Sequence, residues 1–357
     1  MLLTQSCSAP KKSNISKAGL WRAGVATCSV LINVYTSIVA ARALGPQAFG
    51  TYQLVYWLAT VTVPIIGVGT STLASRRITH IQKRESARTI AGIFYFLWYL
   101  QCRSILRYCT MYLLLAFPLS WIFTICTPSL VMMTALSTIP LLLSSVVGIT
   151  LRSMRRSDLL AALQIFGALS TLGLTIVATQ IEGKLISIFL LASALAGTLT
   201  LSIAAILVIQ LLPMREAHPP GPFLRERLLE SPRHSHILFM WDAIVWQRSE
   251  LLLLAYWRDP AELAFYALSS LICNGLMRLV PNLLYNWVLP LLRSYSRQKR
   301  YLNAYDAFIT TSCYAIFLAV PICMLAMVLC PPVINYCLGA AYLPLVKPLR
   351  IMLIATV

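Results

Sequence analysis

The chain has 357 residues, 59% of them hydrophobic and only 11% charged, with a mean hydropathy of +0.76. A soluble domain carries about 25% charged residues, so there is too little polar surface here to cover a globule in water, and a soluble enzyme or binding module is excluded. The formal net charge of +18 suggests nucleic acid at first sight, but the distribution of the charges, taken up below, assigns it to topology.

Apolar runs of about 20 residues, the length that crosses a bilayer, recur along the sequence. In chain order they fall at roughly 19–40, 50–75, 104–124, 131–151, 159–179, 185–211, 236–256, 264–290 and 306–330, with a tenth beginning near 343. The expected fold is all-α, a polytopic membrane protein. The first 18 residues form a tail with no continuous apolar core ahead of Lys11 and Lys12, so the first span is expected to stay in the membrane rather than be cleaved.

Alternating the loops from a cytoplasmic N-terminus sorts the basic residues sharply. Twenty lie on the inner side, among them Arg76, Arg77, Lys83, Arg84 and Arg88, against 3 on the outer side, Arg42, Lys184 and Arg258. That bias follows the positive-inside rule and leaves no case for a nucleic-acid partner. The ten cysteines form no CxxC pair, and those within spans, such as Cys28, Cys273, Cys313 and Cys323, read as small buried hydrophobes. His234 and His236 lack acidic or cysteine support and read as interfacial residues, not metal ligands; no cofactor is expected.

One short stretch occurs twice. "ALGPQAFGTYQ" (43–53) is echoed by "RDPAELAFYAL" (258–268), and an offset of 214 residues aligns Pro46 with Pro260, Gly50 with Ala264 and Tyr52 with Tyr266. Between the copies, residues 213–235 contain Pro213, Pro219, Pro220, Pro222 and Pro232, a density that stops helices and stiffens a linker. Six spans precede this linker. The expected architecture is therefore two pseudo-symmetric six-helix lobes, 19–212 and 236–357, joined by a cytoplasmic linker. Because the number of preceding spans is even, both lobes point the same way, the parallel-repeat arrangement of some secondary transporters. The second lobe is expected to be incomplete, the sequence stopping inside its tenth span at Val357.

Polar residues inside spans mark candidate binding positions, since they are costly in lipid and are expected to face a bundle interior or hydrated cavity. In the eighth span Asn274, Arg278, Asn282 and Asn286 recur every fourth residue, along one helical face. In the first span Arg22, Ser29, Asn33 and Ser37 form a second such face, and the seventh carries Gln247, Arg248 and Glu250, Gln247 matching Asn33 through the repeat offset. Structural roles compete for several of these. Arg22 can snorkel to the headgroups, Glu250 can serve as counter-ion to Arg278, and asparagines can simply join helices.

The order of motifs resembles the polysaccharide-flippase family of the multidrug/oligosaccharidyl-lipid/polysaccharide exporter superfamily. The residues carrying the resemblance are 41–78, 244–272, "VLPLLRSYSR" (288–297) and "CLGAAYLPLVKPLRIM" (337–352). The resemblance implies a transporter moving lipid-linked oligosaccharide, anchored through a polyprenyl diphosphate, across a bacterial inner membrane. It also implies a bilayer environment and a possible polysaccharide polymerase as partner. Members usually carry more spans than are found here. A cation-coupled drug exporter of the same superfamily would be expected to carry an acidic residue within a span of the first lobe, whereas Glu85, Asp158 and Glu182 all fall in loops. A membrane glycosyltransferase or ligase would need paired acidic residues on outer loops, where Glu182, Asp259 and Glu262 are scattered. With no GxxxxGK[ST] phosphate loop, direct drive by ATP is not expected.

Overall fold

The computed structural model describes residues 17–66, 87–122, 127–154, 156–181, 183, 186–212, 250–257, 259–277 and 301–355. Among these residues the secondary structure is helical throughout. Helix α1 (Lys17–Ile66) is two helices joined at Gly45, whose φ of 76° and ψ of 168° are not helical. It is followed by α2 (Ala87–Ile122), α3 (Pro128–Ser153), α4 (Ser157–Gln180) and α5 (Ile186–Leu211). Then come α6 (Glu250–Trp257), α7 (260–277) and α8 (Tyr301–Cys337), and a 3₁₀ turn at Ala340–Leu345 leads into α9 (Val346–Ala355).

Five of these helices are long and apolar enough to cross a membrane: Gly24–Val61, Pro128–Arg152, Asp158–Gln180, Ile186–Leu211 and Tyr305–Cys337. Their outer surfaces keep large apolar side chains in the open; Phe317 is 78% exposed, Val328 71% and Ile209 58%. Such a surface is untenable in water on this scale and natural against acyl chains. The protein is a multi-pass, all-α membrane protein.

In both copies of the repeated stretch a proline opens a helical segment. Gly45 interrupts α1, Asp259 precedes α7, and the helix restarts with a proline, Pro46 or Pro260. Proline suits a first helical position because its fixed φ is helical and its missing N–H would have had no partner there. The carbonyl of Asp259 accepts the first backbone bond of the new helix, from Glu262 at 3.0 Å. The break at Gly45 is tight, and the two arms of α1 run up to it.

One expected boundary moves far. The third span, read as 104–124, belongs to a helix that begins at Ala87. Gln101, Arg103 and Arg107 depress the hydropathy there and hide the continuation. The helix persists because Ile90, Phe94, Leu97, Gln101, Ser104, Tyr108 and Tyr112 share one buried face. At the other extreme α8 runs through Pro321, Pro331 and Pro332 without interruption, which membrane helices tolerate where neighbouring groups satisfy the freed carbonyls.

Packing only partly follows the chain order. Helix α1 lies mainly against α4, α3 against α5 and α2, and α4 against α5. Three apolar clusters occupy different levels. One joins Ala41, Phe49, Ala178 and Phe189 with Ala264, Leu268, Ile334, Leu338 and Tyr342, at the end where both breaks lie. A second joins Leu54, Trp57, Tyr108 and Val131 with Leu251, Ala255, Leu263 and Ala267. The third, at the far end, contains Ile90, Leu97, Val147, Leu151, Leu163, Val208 and Leu212. The cysteines divide among these surroundings: Cys273 and Cys323 are buried, whereas Cys28 and Cys313 are exposed, and all eight described cysteines are free thiols.

Candidate functional site

The helices that carry Asn33 and Asn274 cross beside these residues. A Cβ placed on Gly275 would lie 3.5 Å from Val34 Cγ2 and 3.8 Å from Val30 Cγ1, so α7 crosses the first arm of α1 in direct contact there. Asn33 and Asn274 are the immediate chain neighbours of Val34 and Gly275, and both side chains are exposed beside the crossing. Counting 1.5 Å per residue from the breaks, they lie about 18 Å and 21 Å into the bundle, near mid-membrane. The hydroxyls of the same face of α1 are occupied locally. Ser29 donates to the Ala26 carbonyl at 2.9 Å and Ser37 to that of Asn33 at 3.1 Å. The Asn33 amide therefore remains the polar group this face offers to a ligand.

The other candidate positions are less fully placed. Glu250 opens α6 with an exposed carboxylate, and Arg22 lies in the second turn of α1. Gln247, Arg248, Arg278, Asn282 and Asn286 lie outside the described residues.

A second polar group went unnoticed in the sequence. On α2, Gln101 is 1% exposed with its Nε2 lacking a hydrogen-bond partner, and Ser104 is buried one turn further on. Tyr108 receives a 2.6 Å hydrogen bond from Thr138 of α3. On the opposite, exposed side of α2 stand Arg103 and Arg107, and Arg107 donates to Ser104 Oγ at 3.4 Å. Thr138 lies ten residues beyond Pro128, about 15 Å into its helix, so these arginines also lie at mid-depth. The signal that could have found them is the recurrence of 97, 101, 104, 108 and 112 on one face, which a hydropathy window averages away.

At the end of the bundle that contains the breaks, the Tyr342 hydroxyl donates to the Ala41 carbonyl at 2.7 Å, linking the 3₁₀ turn to the last turn of the first arm. Carbonyls in a last turn have no intrahelical donor, so this bond satisfies one of them. Burial pushes the Tyr342 hydroxyl above its ordinary pKa, which keeps it protonated and available as donor.

The sequence profile of a family described as "Polysaccharide biosynthesis protein" matches residues 39–347. The chain belongs to that family. No curated protein matches it. Among solved structures, the fold is similar to an inward-facing multidrug resistance MATE family transporter of the MOP superfamily, with a TM-score of 0.70 at 14% identity, over 92% of this chain and 78% of that one. It is also similar to the MATE multidrug transporter DinF-BH, with a TM-score of 0.58 at 14% identity, over 99% of this chain and 88% of that one. A mutant of the Vibrio cholerae MATE transporter VcmN gives 0.57 at 16% identity, over 96% and 79%. The chain shares the fold of these MATE transporters.

Proposed function

We propose that this transporter is a flippase that carries lipid-linked oligosaccharide between the leaflets of a bacterial inner membrane. One observation carries the reading: a polysaccharide-biosynthesis family profile covers residues 39–347 of a chain with a transporter fold. A transporter serving polysaccharide assembly needs a cargo that is both glycan and membrane-borne, and a sugar chain on a polyprenyl diphosphate is both. The glycan head crosses through a hydrated path between two lobes, 19–212 and 236–357, while the lipid tail stays in the bilayer.

The chemistry of the candidate residues suits such a cargo. Asn33 and Asn274 each offer a donor pair and an acceptor, the set that sugar hydroxyls require. Arg22, Arg248 and Arg278 provide planar forks for the diphosphate, with Gln247, Asn282 and Asn286 extending the amide lining and Glu250 opposing the cations. A cytoplasmic N-terminus and a cytoplasmic 213–235 linker follow from the charge bias, and a polysaccharide polymerase that receives the flipped units is the natural partner.

The test is expression in a strain lacking its lipid-linked oligosaccharide flippase. The expected result is the return of surface glycan, measured by extraction and immunoblotting. An abundant, membrane-inserted protein that restores no glycan but lowers the accumulation of a cationic dye would overturn the proposal in favour of drug export.

A further inference from the structure

We infer that Gly50 is the contact at which one end of the transporter seals, and that the missing side chain there sets how closely the two copies of the repeated stretch approach. A Cβ placed on Gly50 would overlap the carbonyl oxygen of Pro260, lie 2.7 Å from the carbonyl carbon and 3.3 Å from the Ala264 nitrogen. The residues that meet are the repeat's own counterparts, Gly50 with Ala264, and Pro260 with the turn that begins at Pro46. The two copies of the stretch thus pack on each other.

The local backbone does not demand glycine at this position. Gly50 lies inside the second arm of α1 and, unlike Gly45, Gly183 and Gly339, does not have positive φ. In such a place glycine is less favourable than alanine, so the reason for it is tertiary. The atoms that a side chain would strike are main-chain atoms in the first turn of α7, which cannot rotate away. Around the contact the packing is dry: Phe49, Ala264 and Leu268 are 0% exposed and Leu263 is 1% exposed. Small residues at a crossing let helices in lipid approach closely, and here that approach closes the end of the bundle on which the breaks lie.

The inference rests on the proposed path between two lobes, taken to open to each side in turn, because such a cavity must be shut at one end while it is open at the other. Its test measures closure and not transport, so failure of the glycan reading leaves it standing. Ala267, 1% exposed in the neighbouring cluster, is changed to cysteine in the otherwise native chain. Labelling by a membrane-impermeant maleimide is then read at that site by mass spectrometry, on intact cells and on inverted vesicles. With Gly50 present the thiol should be protected. Gly50→Ala should raise its labelling rate several-fold and Gly50→Val at least tenfold, from one side of the membrane. Gly173→Val, at a helical glycine with nothing within 4 Å of its Cβ position, is the control and should behave as the parent. Parental labelling in a Gly50→Val protein of normal abundance overturns the inference, as does an equal rise in Gly173→Val, which would mean general loosening. If Gly50→Val fails to accumulate, Gly50→Ala decides, because its single methyl group already overlaps the Pro260 carbonyl.

Discussion

At the scale of single residues the clearest energetic statement concerns Tyr342. Its hydroxyl joins segments 301 positions apart, and a net hydrogen bond is worth about 1 kcal/mol, with a further penalty when the abandoned partner stays buried. Tyr342→Phe should therefore lower the stability of the purified protein by about 1–2 kcal/mol, seen as a lower thermal midpoint in detergent. The same residue gives a pH dependence. Its folded-state pKa is raised above the unfolded value, so its contribution is complete below about pH 10 and is lost as the pH rises through the folded value. The alkaline fall in thermal midpoint should be shallower in Tyr342→Phe than in the parent. Tyr342 carried no weight in the sequence reading, because nothing local to "GAAYLPL" reveals that its partner is Ala41. Asn33 and Asn274 were legible as polar intruders in apolar runs. The crossing of their helices was not, since it depends on Gly275 lying against Val30 and Val34.

At the scale of elements, the helices were legible wherever hydropathy and chain direction agree. The spans expected at 131–151, 159–179 and 185–211 correspond to helices Pro128–Ser153, Ser157–Gln180 and Ile186–Leu211. The reading was poorest at α2, where two arginines and a glutamine hid the first sixteen or so residues of the 36-residue helix. Burial of one face decides that helix, and a window average is blind to faces. The two helix ends at Gly45 and Gly339 show another recurrence. Their φ/ψ pairs of 76°/168° and 94°/171° fall in the same glycine-only region. Each follows a leucine, Leu44 or Leu338, in the same apolar cluster. Holding a side chain in that region costs about 1–3 kcal/mol. Gly45→Ala and Gly339→Ala should each destabilise by that amount, whereas Gly173→Ala, on an ordinary helical backbone with open space, should stabilise by about 0.5–1 kcal/mol. Thermal unfolding of the three variants distinguishes them, and equal effects at all three would refute the conformational argument.

For the whole molecule, the repeat was the most informative feature of the sequence. Pro46 and Pro260 mark the same helix restart, and that equivalence could be read without coordinates. The sequence did not reveal that the copies touch, because the contact is between backbones and leaves no trace in side-chain chemistry beyond one glycine. The charge bias makes an independent statement about orientation. Arg42 and Arg152 are both exposed and stand at opposite ends of the bundle. With single Arg42→Cys and Arg152→Cys substitutions, an impermeant thiol reagent should reach position 42 in intact cells and position 152 only in inverted vesicles. The reverse pattern would invert the topology.

The backbone nature of the Gly50 contact has a genetic consequence. A lesion that enlarges a buried side chain is often suppressed by trimming whatever side chain it strikes. At Gly50 that route is closed, because Pro260 and Ala264 meet it with atoms that every amino acid possesses. Second-site revertants of a Gly50 mutant should therefore map away from both residues, to positions that shift α7 as a body, such as the helix restart at Asp259 or the crossing with Val30 and Val34. Selection for regained function would then chart, residue by residue, what positions α7 against the second arm of α1.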